Sequence, residues 1–275
     1  FVKGNVNTDL NKILELIDNH KIQYIINFAA QSMVGQSWDF PEDWMQTNVV
    51  AVSKLASALR NRKTLRRYIH VTTPESYGST DGWIKEGNNY FPSTPYAVSR
   101  AASDMLLQIY FKEFQIPVIF TRAANVYGPA QQLYRIIPAT IFNLLNNLPI
   151  KLDGGGKSTR SFIFMDDVSE ATYQLLDQGT IGDCYHISTN RIVSIYELVH
   201  LICEKLGARI EDAVEIVEER KGKDNTYKLD SGKLRSELQW KETVDLEKGV
   251  DITINWFKEN LESLKKLPRK YVHKS

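Results

Sequence analysis

Long apolar runs are missing from this chain. No uninterrupted stretch approaches the roughly 18 residues a membrane span requires, and no signal peptide opens the sequence, so a cytoplasmic protein with no membrane partner is expected. Cysteine is scarce, with two in 275 residues. Cys184 and Cys203 fall in segments that read as a strand and a helix, which predicts buried free thiols in a reducing compartment and no disulfide. A surplus of charge is also missing: 34 Lys and Arg stand against 33 Asp and Glu, a net +1. That balance gives no general pull toward nucleic acid, although local clusters could still bind phosphate. No internal repeat stands out, no metal is called for, and the basic tail from Lys265 to Lys274 reads as a solvated terminus. The chain starts at Phe1 in a Phe-Val-Lys-Gly-Asn sequence resembling the middle of an α/β domain, so missing N-terminal sequence is expected.

What is present is an ordinary globular composition, 43% apolar and 24% charged, which argues against disorder. Asp9 to His20 carries a helical apolar stripe at Leu10, Ile13, Leu14 and Ile17. Tyr24 to Ala30 is apolar almost throughout, as a strand buried on both faces is. A helix from about Pro41 to Arg62 and a strand from Tyr68 to Thr73 complete a βαβ crossover. Pro95 to Phe114 is the next helix, and Pro117 to Arg122 the next strand. This alternation implies a parallel sheet. From Asn125 the texture changes. Tyr127-Gly128-Pro129 is a turn, Arg135 to Asn147 a helix, and Gly154-Gly155-Gly156 a loop. Arg160 to Phe164 and Tyr185 to Ile187 read as short strands, with a helix from Asp166 to Leu176 between them that returns to the first sheet. Ser194 and Glu197 form a capping box for a helix ending at Leu206 before Gly207. Val244 to Leu264 is a final amphipathic helix.

The stretch from Val71 to Arg100 carries the chemistry. Thr73, Glu75 and Tyr77 follow where a buried strand should end, and the tip of a strand is where open α/β sheets react. Pro95 sits where a helix begins, so Tyr96 and Arg100 share one helical face about a turn apart, looking back at the strand tip. A phenol gives or takes a proton at a carbonyl or alcohol, a neighbouring cation favours the phenolate, and a hydroxyl holds the substrate oxygen, an arrangement used in hydride transfer. Tyr-x-x-x-Arg alone also fits a surface tyrosine with a salt-bridging arginine. Glu75 alone fits a solvated loop acid as well as it fits a base that removes a proton beside a ketone, which would need partial burial.

FAAQSMVGQS, the Asn48 helix, VTTPESYG, TPYAVSRAASD, TRAANVYGPAQQ, RIIP, GGGKSTRSFIFMDDV, ERKGKDNTYKLD and Asn255-Trp256 occur in this order. Through them the chain resembles the extended short-chain dehydrogenases/reductases, most closely the nucleotide-sugar 4,6-dehydratases of the dTDP-glucose type. The resemblance covers nearly the whole chain. It implies an α/β fold: a Rossmann-like doubly wound parallel sheet with a smaller C-terminal α/β substrate domain. Residues 1–128, with returning segments around 160–180, would form the NAD-binding domain and 129–275 mainly the nucleotide-sugar domain. It places Phe1 after the family's third strand, with the Gly-rich loop for the adenosine half of NAD absent from the chain as given. It implies NAD as cofactor, a nucleotide-diphosphate sugar as substrate, and a homodimer through the helices at 41–62 and 95–114.

By position, Thr73, Tyr96 and Arg100 match the family's Thr, Tyr and Lys, and Glu75 matches the glutamate that removes the sugar's C5 proton. Ala29, Ala30, Asn48 and Thr72, with Tyr96 and Arg100, fall around the cofactor. Ser32, Thr73, Asn125, Arg135, Arg160 and Arg220 fall on the nucleotide-sugar site, where guanidinium forks suit a diphosphate. Three departures follow. Arg100 replaces the lysine, Pro74 replaces the aspartate that acts as general acid for water loss, and Met33 and Gly35 replace a histidine and an aspartate. Either Glu75 serves as both base and acid, or the reaction is not the standard dehydration; C4 oxidation ending in epimerisation or decarboxylation, or a nucleotide-sugar-binding protein without catalysis, are the alternatives.

Overall fold

The computed structural model describes residues 1–80, 82–218 and 228–274. Helix α1 (Leu10–Asn19) leads into strand β1 (Tyr24–Asn27). The helical run after it is α2 (Pro41–Met45), a π-helical turn over Gln46–Val50, and α3 (Ala51–Leu59). Strand β2 (Arg67–Val71) ends in a 3-10 turn, Pro74–Tyr77, followed by the short β3 (Trp83–Ile84) and helix α4 (Pro95–Phe114). Then come β4 (Val118–Ala123), β5 (Asn125–Tyr127), α5 (Ile136–Leu145), β6 (Ile150–Asp153), β7 (Thr159–Arg160) and β8 (Phe162–Phe164). The remainder is α6 (Met165–Gln178), β9 (Cys184–Ile187), β10 (Val193–Ser194), α7 (Ile195–Lys205), α8 (Ile210–Ala213), β11 (Val214–Val217), β12 (Lys228–Leu229), α9 (Gly232–Leu238) and α10 (Leu246–Leu264).

Four strands form one parallel sheet in the order β1-β2-β4-β9. Strands β2, β4 and β9 alternate their side chains between two apolar layers, and β1 adds Ile25 to one of them. On one side Tyr68, Val118 and Phe120 pack with Val52, Ala56 and Leu59 of α3 and Leu107 of α4. On the other, Ile69 and Ile119 pack with Ala171 and Leu175 of α6 and with Leu234 and Leu238 of α9. Helices on both faces of a parallel sheet make this a Rossmann-like doubly wound fold. A separate core joins α5, α7 and α10 to β8, with Ile137, Ile141, Leu198, Ile202, Val250, Ile254 and Phe257 buried. Burying one such side chain is worth about 1.5–3 kcal/mol, so each core alone outweighs many surface contacts. Among the described residues, no helix is long and apolar enough to cross a membrane, and Cys184 and Cys203 are free.

Three expectations from the sequence are corrected. In the chain as given, strand β1 is covered on one face: Tyr24 is 44% and Ile26 36% exposed, and the strand stops at Asn27 rather than running on to Ala30. It pairs only with β2 among the described residues, and its Ile25 packs in the layer that holds Ile17 of α1 and Val52, Ala56 and Leu59 of α3. The helix from Pro41 is not uniformly α-helical, because a π turn interrupts it at Asn48. The basic tail is only in part a solvated terminus: its lysines and arginines are exposed, while Tyr271 and His273 are partly buried and packed on other elements.

Candidate active site

Thr73 leaves β2 in extended conformation and caps the 3-10 turn, its Oγ1 accepting the Glu75 N–H at 3.3 Å. Ser76 Oγ donates to the Thr73 carbonyl at 2.9 Å. Pro74 suits the first position of this turn, since it has no N–H to lose. Gly78 ends it at φ 70°, where a Cβ would lie 2.2 Å from the Phe91 carbonyl oxygen, so glycine is required there. Glu75 thereby projects from the strand tip half-buried.

Opposite the turn, Thr94 caps α4 by accepting the Ala97 N–H at 3.1 Å, and Pro95 follows at the first helical position. The helix presents Tyr96 and Arg100, both buried. Tyr96 turns its hydroxyl toward Thr73 and lies within electrostatic reach of Glu75, Arg100 and Arg135. Burial first, and Glu75 second, raise the phenol's pKa; Arg100, Thr73 and Arg135 pull it down without prevailing. The free protein therefore holds Tyr96 protonated, and Arg100 alone does not secure the phenolate. Arg100 reaches beneath the tyrosine to donate from Nη2 to the Val71 carbonyl. Its Nε and Nη1 are buried with no hydrogen-bond partner. A buried charge with open donors is costly unless something completes it.

The remaining candidates divide. Ala29 and Ala30 lie on the loop leaving β1, the Ala29 N–H bonded to Asn27 Oδ1 at 3.0 Å. Asn48 is fully occupied: Oδ1 accepts the Gln31 N–H at 2.9 Å, while Nδ2 donates to the Gln31 carbonyl at 3.0 Å and to Ser99 Oγ at 2.8 Å. It shapes the 28–36 loop and ties it to α4. Thr72 donates its hydroxyl to Asp104 Oδ2 at 3.1 Å, away from the site. Ser32 is exposed on the same loop as the alanines. Asn125 opens β5 with its N–H on the Ser161 carbonyl at 3.1 Å. Arg135 precedes α5. Arg160 lies in β7, its Nη1 donating to the Thr159 carbonyl at 2.7 Å. Arg220 lies outside the described residues.

Sequence reasoning missed the support beneath the turn. Arg122 at the end of β4 donates to Asp104 Oδ2 at 2.8 Å, to Tyr90 OH and the Gly87 carbonyl at 3.0 Å each, and to Tyr77 OH. Tyr77 in turn meets His186 Nε2 at 2.8 Å, and His186 Nδ1 faces the Asp230 carbonyl at 3.1 Å. That carbonyl only accepts, so Nδ1 carries the proton and Nε2 accepts from Tyr77. Burial, then Arg122, lowers the His186 pKa to about 3, and burial lowers that of His70 well below 6.5, so both rings are neutral. Burial pushes the Asp104 carboxyl up, and Arg122 pulls it back. The signal for Asp104 was present: it falls four residues after Arg100 on the same helical face.

Residues 1–253 match the family described as GDP-mannose 4,6 dehydratase. The chain belongs to this family. It is an extended short-chain dehydrogenase/reductase of the nucleotide-sugar 4,6-dehydratase type. A dTDP-glucose 4,6-dehydratase from Xanthomonas campestris is 33% identical over 278 residues, covering 94% of this chain and 79% of its own. A crystal structure of dTDP-glucose 4,6-dehydratase from Streptomyces venezuelae, solved with NAD bound, superposes with a TM-score of 0.90 at 32% identity, covering 96% of this chain and 80% of that one. A trifunctional UDP-glucose 4,6-dehydratase/UDP-4-keto-6-deoxy-D-glucose 3,5-epimerase/UDP-4-keto-L-rhamnose-reductase from Arabidopsis thaliana is 34% identical over 266 residues. The chain covers 40% of the length of that relative.

Proposed function

We infer that the protein is an NAD-dependent NDP-hexose 4,6-dehydratase that makes an NDP-4-keto-6-deoxyhexose and water. The observation that carries this reading is the convergence of Thr73, Glu75 and Tyr96 at one strand tip, with Arg100 beneath. NAD fits here, since Nε and Nη1 of Arg100 have no partner in the protein and would be completed by ribose hydroxyls, while Ala29 and Ala30 bring only methyl side chains to the loop leaving β1; when bound, it would supply the acceptor for the sugar's C4 hydride and the donor of that hydride to C6. Tyr96, steadied by Thr73, removes the C4 hydroxyl proton as the ketone forms. Glu75 removes the C5 proton that the ketone acidifies. Because Pro74 has no acid to offer, Glu75 passes that proton to the leaving C6 hydroxyl, which departs as water. The C5 proton of the product then comes from solvent. Ser32, Asn125, Arg135, Arg160 and Arg220 take the nucleotide diphosphate, and Asn48 and Thr72 shape the cofactor side without donating to the ligand.

The division into an NAD-binding part (1–128 with returning segments around 160–180) and a sugar-nucleotide part (129–275) is supported in outline by the two separate cores, with β9 and α9 also packing on the sheet of the first part. A homodimer is supported by Val98, Met105 and Ile109, spaced along one face of α4 and 40%, 48% and 57% exposed, beside exposed Val50. A second copy would cover them, and Ile109→Glu is expected to yield a monomer by light scattering. The proposed compartment is the cytoplasm.

Incubation of the full-length protein with a panel of NDP-hexoses tests the reading, the expected product being a 4-keto-6-deoxy sugar. No turnover of any of them contradicts it. A second reading, C4 oxidation ending in epimerisation or decarboxylation, is favoured by Pro74. Product mass separates the three: loss of water, no change, or loss of carbon dioxide.

A further inference from the structure

The segment after α10 runs extended back across the molecule, with alternate side chains turned inward at Tyr271 and His273. His273 stacks on Phe40 at 4.4 Å between ring centroids and on Trp44 at 5.3 Å, both nearly parallel, and its Nε2 meets Asp43 Oδ2 at 2.6 Å. Tyr271 OH donates to Gln31 Oε1 at 3.0 Å, and Gln31 Nε2 donates to the Lys274 carbonyl at 2.8 Å. The same tyrosine ring lies edge-on to Tyr134, 5.8 Å between centroids. Arg269 Nη2 donates to Asn143 Oδ1 at 3.0 Å and its guanidinium lies over Phe142 on α5. This strap forms one wall of a groove of about 850 Å³ whose other walls include Met33, Gln36 and Tyr134.

Gln31 is thus held at both ends: Asn48 takes its backbone, and the strap takes its side chain. The loop so held, 28–36, carries Ala29, Ala30 and Ser32, and Tyr134 adjoins Arg135. We propose that residues 268–274 form a clasp, with Tyr271 as the positioning residue and His273 as its anchor, that fixes the 28–36 loop against the start of α5 so that the cofactor side and the nucleotide-sugar side of the site keep one geometry. This rests on the dehydratase reading for what the site binds, but the physical link between strap and loop does not.

Tyr271→Phe keeps the ring contact with Tyr134 and deletes the hydroxyl; removal of residues 268–275 deletes the whole clasp. Hydrogen exchange is followed at the amides of 29–36 and, as a control, of β2 and β4. The clasp requires exchange at 29–36 to rise about fivefold in Tyr271→Phe, the size of one net hydrogen bond, and further in the truncation, with β2 and β4 unchanged. In turnover the same variants are expected to raise KM for the NDP-hexose several-fold with kcat nearly retained. Unchanged exchange at 29–36 overturns the proposal, and so does a rise spread over β2 and β4, which marks a merely structural role. If the wild-type protein turns over no NDP-hexose, the dehydratase reading fails while the exchange result still decides the clasp.

Discussion

The wall of the candidate site that carries Thr73, Glu75, Tyr96 and Arg100 is fixed from below by buried polar groups, Asp104 accepting from Thr72 on one side of the Pro74–Tyr77 turn and Arg122 reaching Tyr77 on the other. The facing wall, the 28–36 loop, has one buried clamp at Asn48 and is otherwise fastened near the surface by the C-terminal strap. In low dielectric each bond on the first wall is strong and each orphan costly; on the second wall, contacts near water are worth less and yield more readily. Proton transfer at a carbon needs the first kind of support, whereas admitting and releasing a large anionic sugar nucleotide is compatible with the second.

The sharpest way to break this contrast is on the buried wall. Tyr96→Phe is expected to lower kcat by roughly 10²–10⁴-fold, the range for a positioned proton-transfer group, with nucleotide-sugar binding by calorimetry little changed; a loss confined to KM would move Tyr96 to the binding wall. Arg122→Leu leaves Asp104 buried without its cation and should cost about 3–5 kcal/mol in urea unfolding, far more than any single change in the strap. A loss under 1 kcal/mol would show the network to be dispensable.

Acid sharpens the same point. His186 has a folded pKa of about 3 against an ordinary 6.5, so below pH 6.5 the unfolded chain binds a proton the folded one refuses. Stability from this group is complete above that value and is lost as pH falls toward about 3. His70 acts in the same direction, and Asp104, whose carboxyl is pushed up, acts in the opposite one. The test is His186→Gln: the stability advantage of wild type over this variant should shrink by about 1.4 kcal/mol per pH unit as pH falls below 6.5, and a constant gap would contradict the neutral, buried assignment.

The smallest effect concerns tyrosine activation. Because burial and Glu75 raise the Tyr96 pKa, kcat/KM should climb toward alkaline pH, and any residual activity of Glu75→Gln should show its rise at lower pH. Arg100→Lys keeps the charge but loses the planar fork that reaches Val71, so a several-fold fall in activity is expected. A large gain would mean that arginine is a handicap at this position.

The parallel sheet and the Thr73, Glu75, Tyr96 and Arg100 cluster were legible because strand apolarity, the helix start at Pro95 and the four-residue spacing are local signals, whereas the doubly wound arrangement was implied by the family resemblance. The end of β1 at Asn27 was not legible, since an apolar run does not mark where strand pairing stops. Tail packing was hidden for another reason. Its lysines and arginines dominate the composition, while its anchors, Tyr271 and His273, meet Gln31, Asp43 and Phe40 from the other end of the chain. Arg122 looked like the polar end of a strand, and only its packing against Tyr77 and Tyr90 reveals a network.

The most direct test of the central claim is the mass of the sugar nucleotide recovered after incubating the full-length protein with its NDP-hexose in deuterated water. Single-carboxylate dehydration through Glu75 requires a product lighter by one water, with one solvent deuteron at C5 and none delivered to C6. Recovery of a product of unchanged composition, or of one that has lost carbon dioxide, would contradict it.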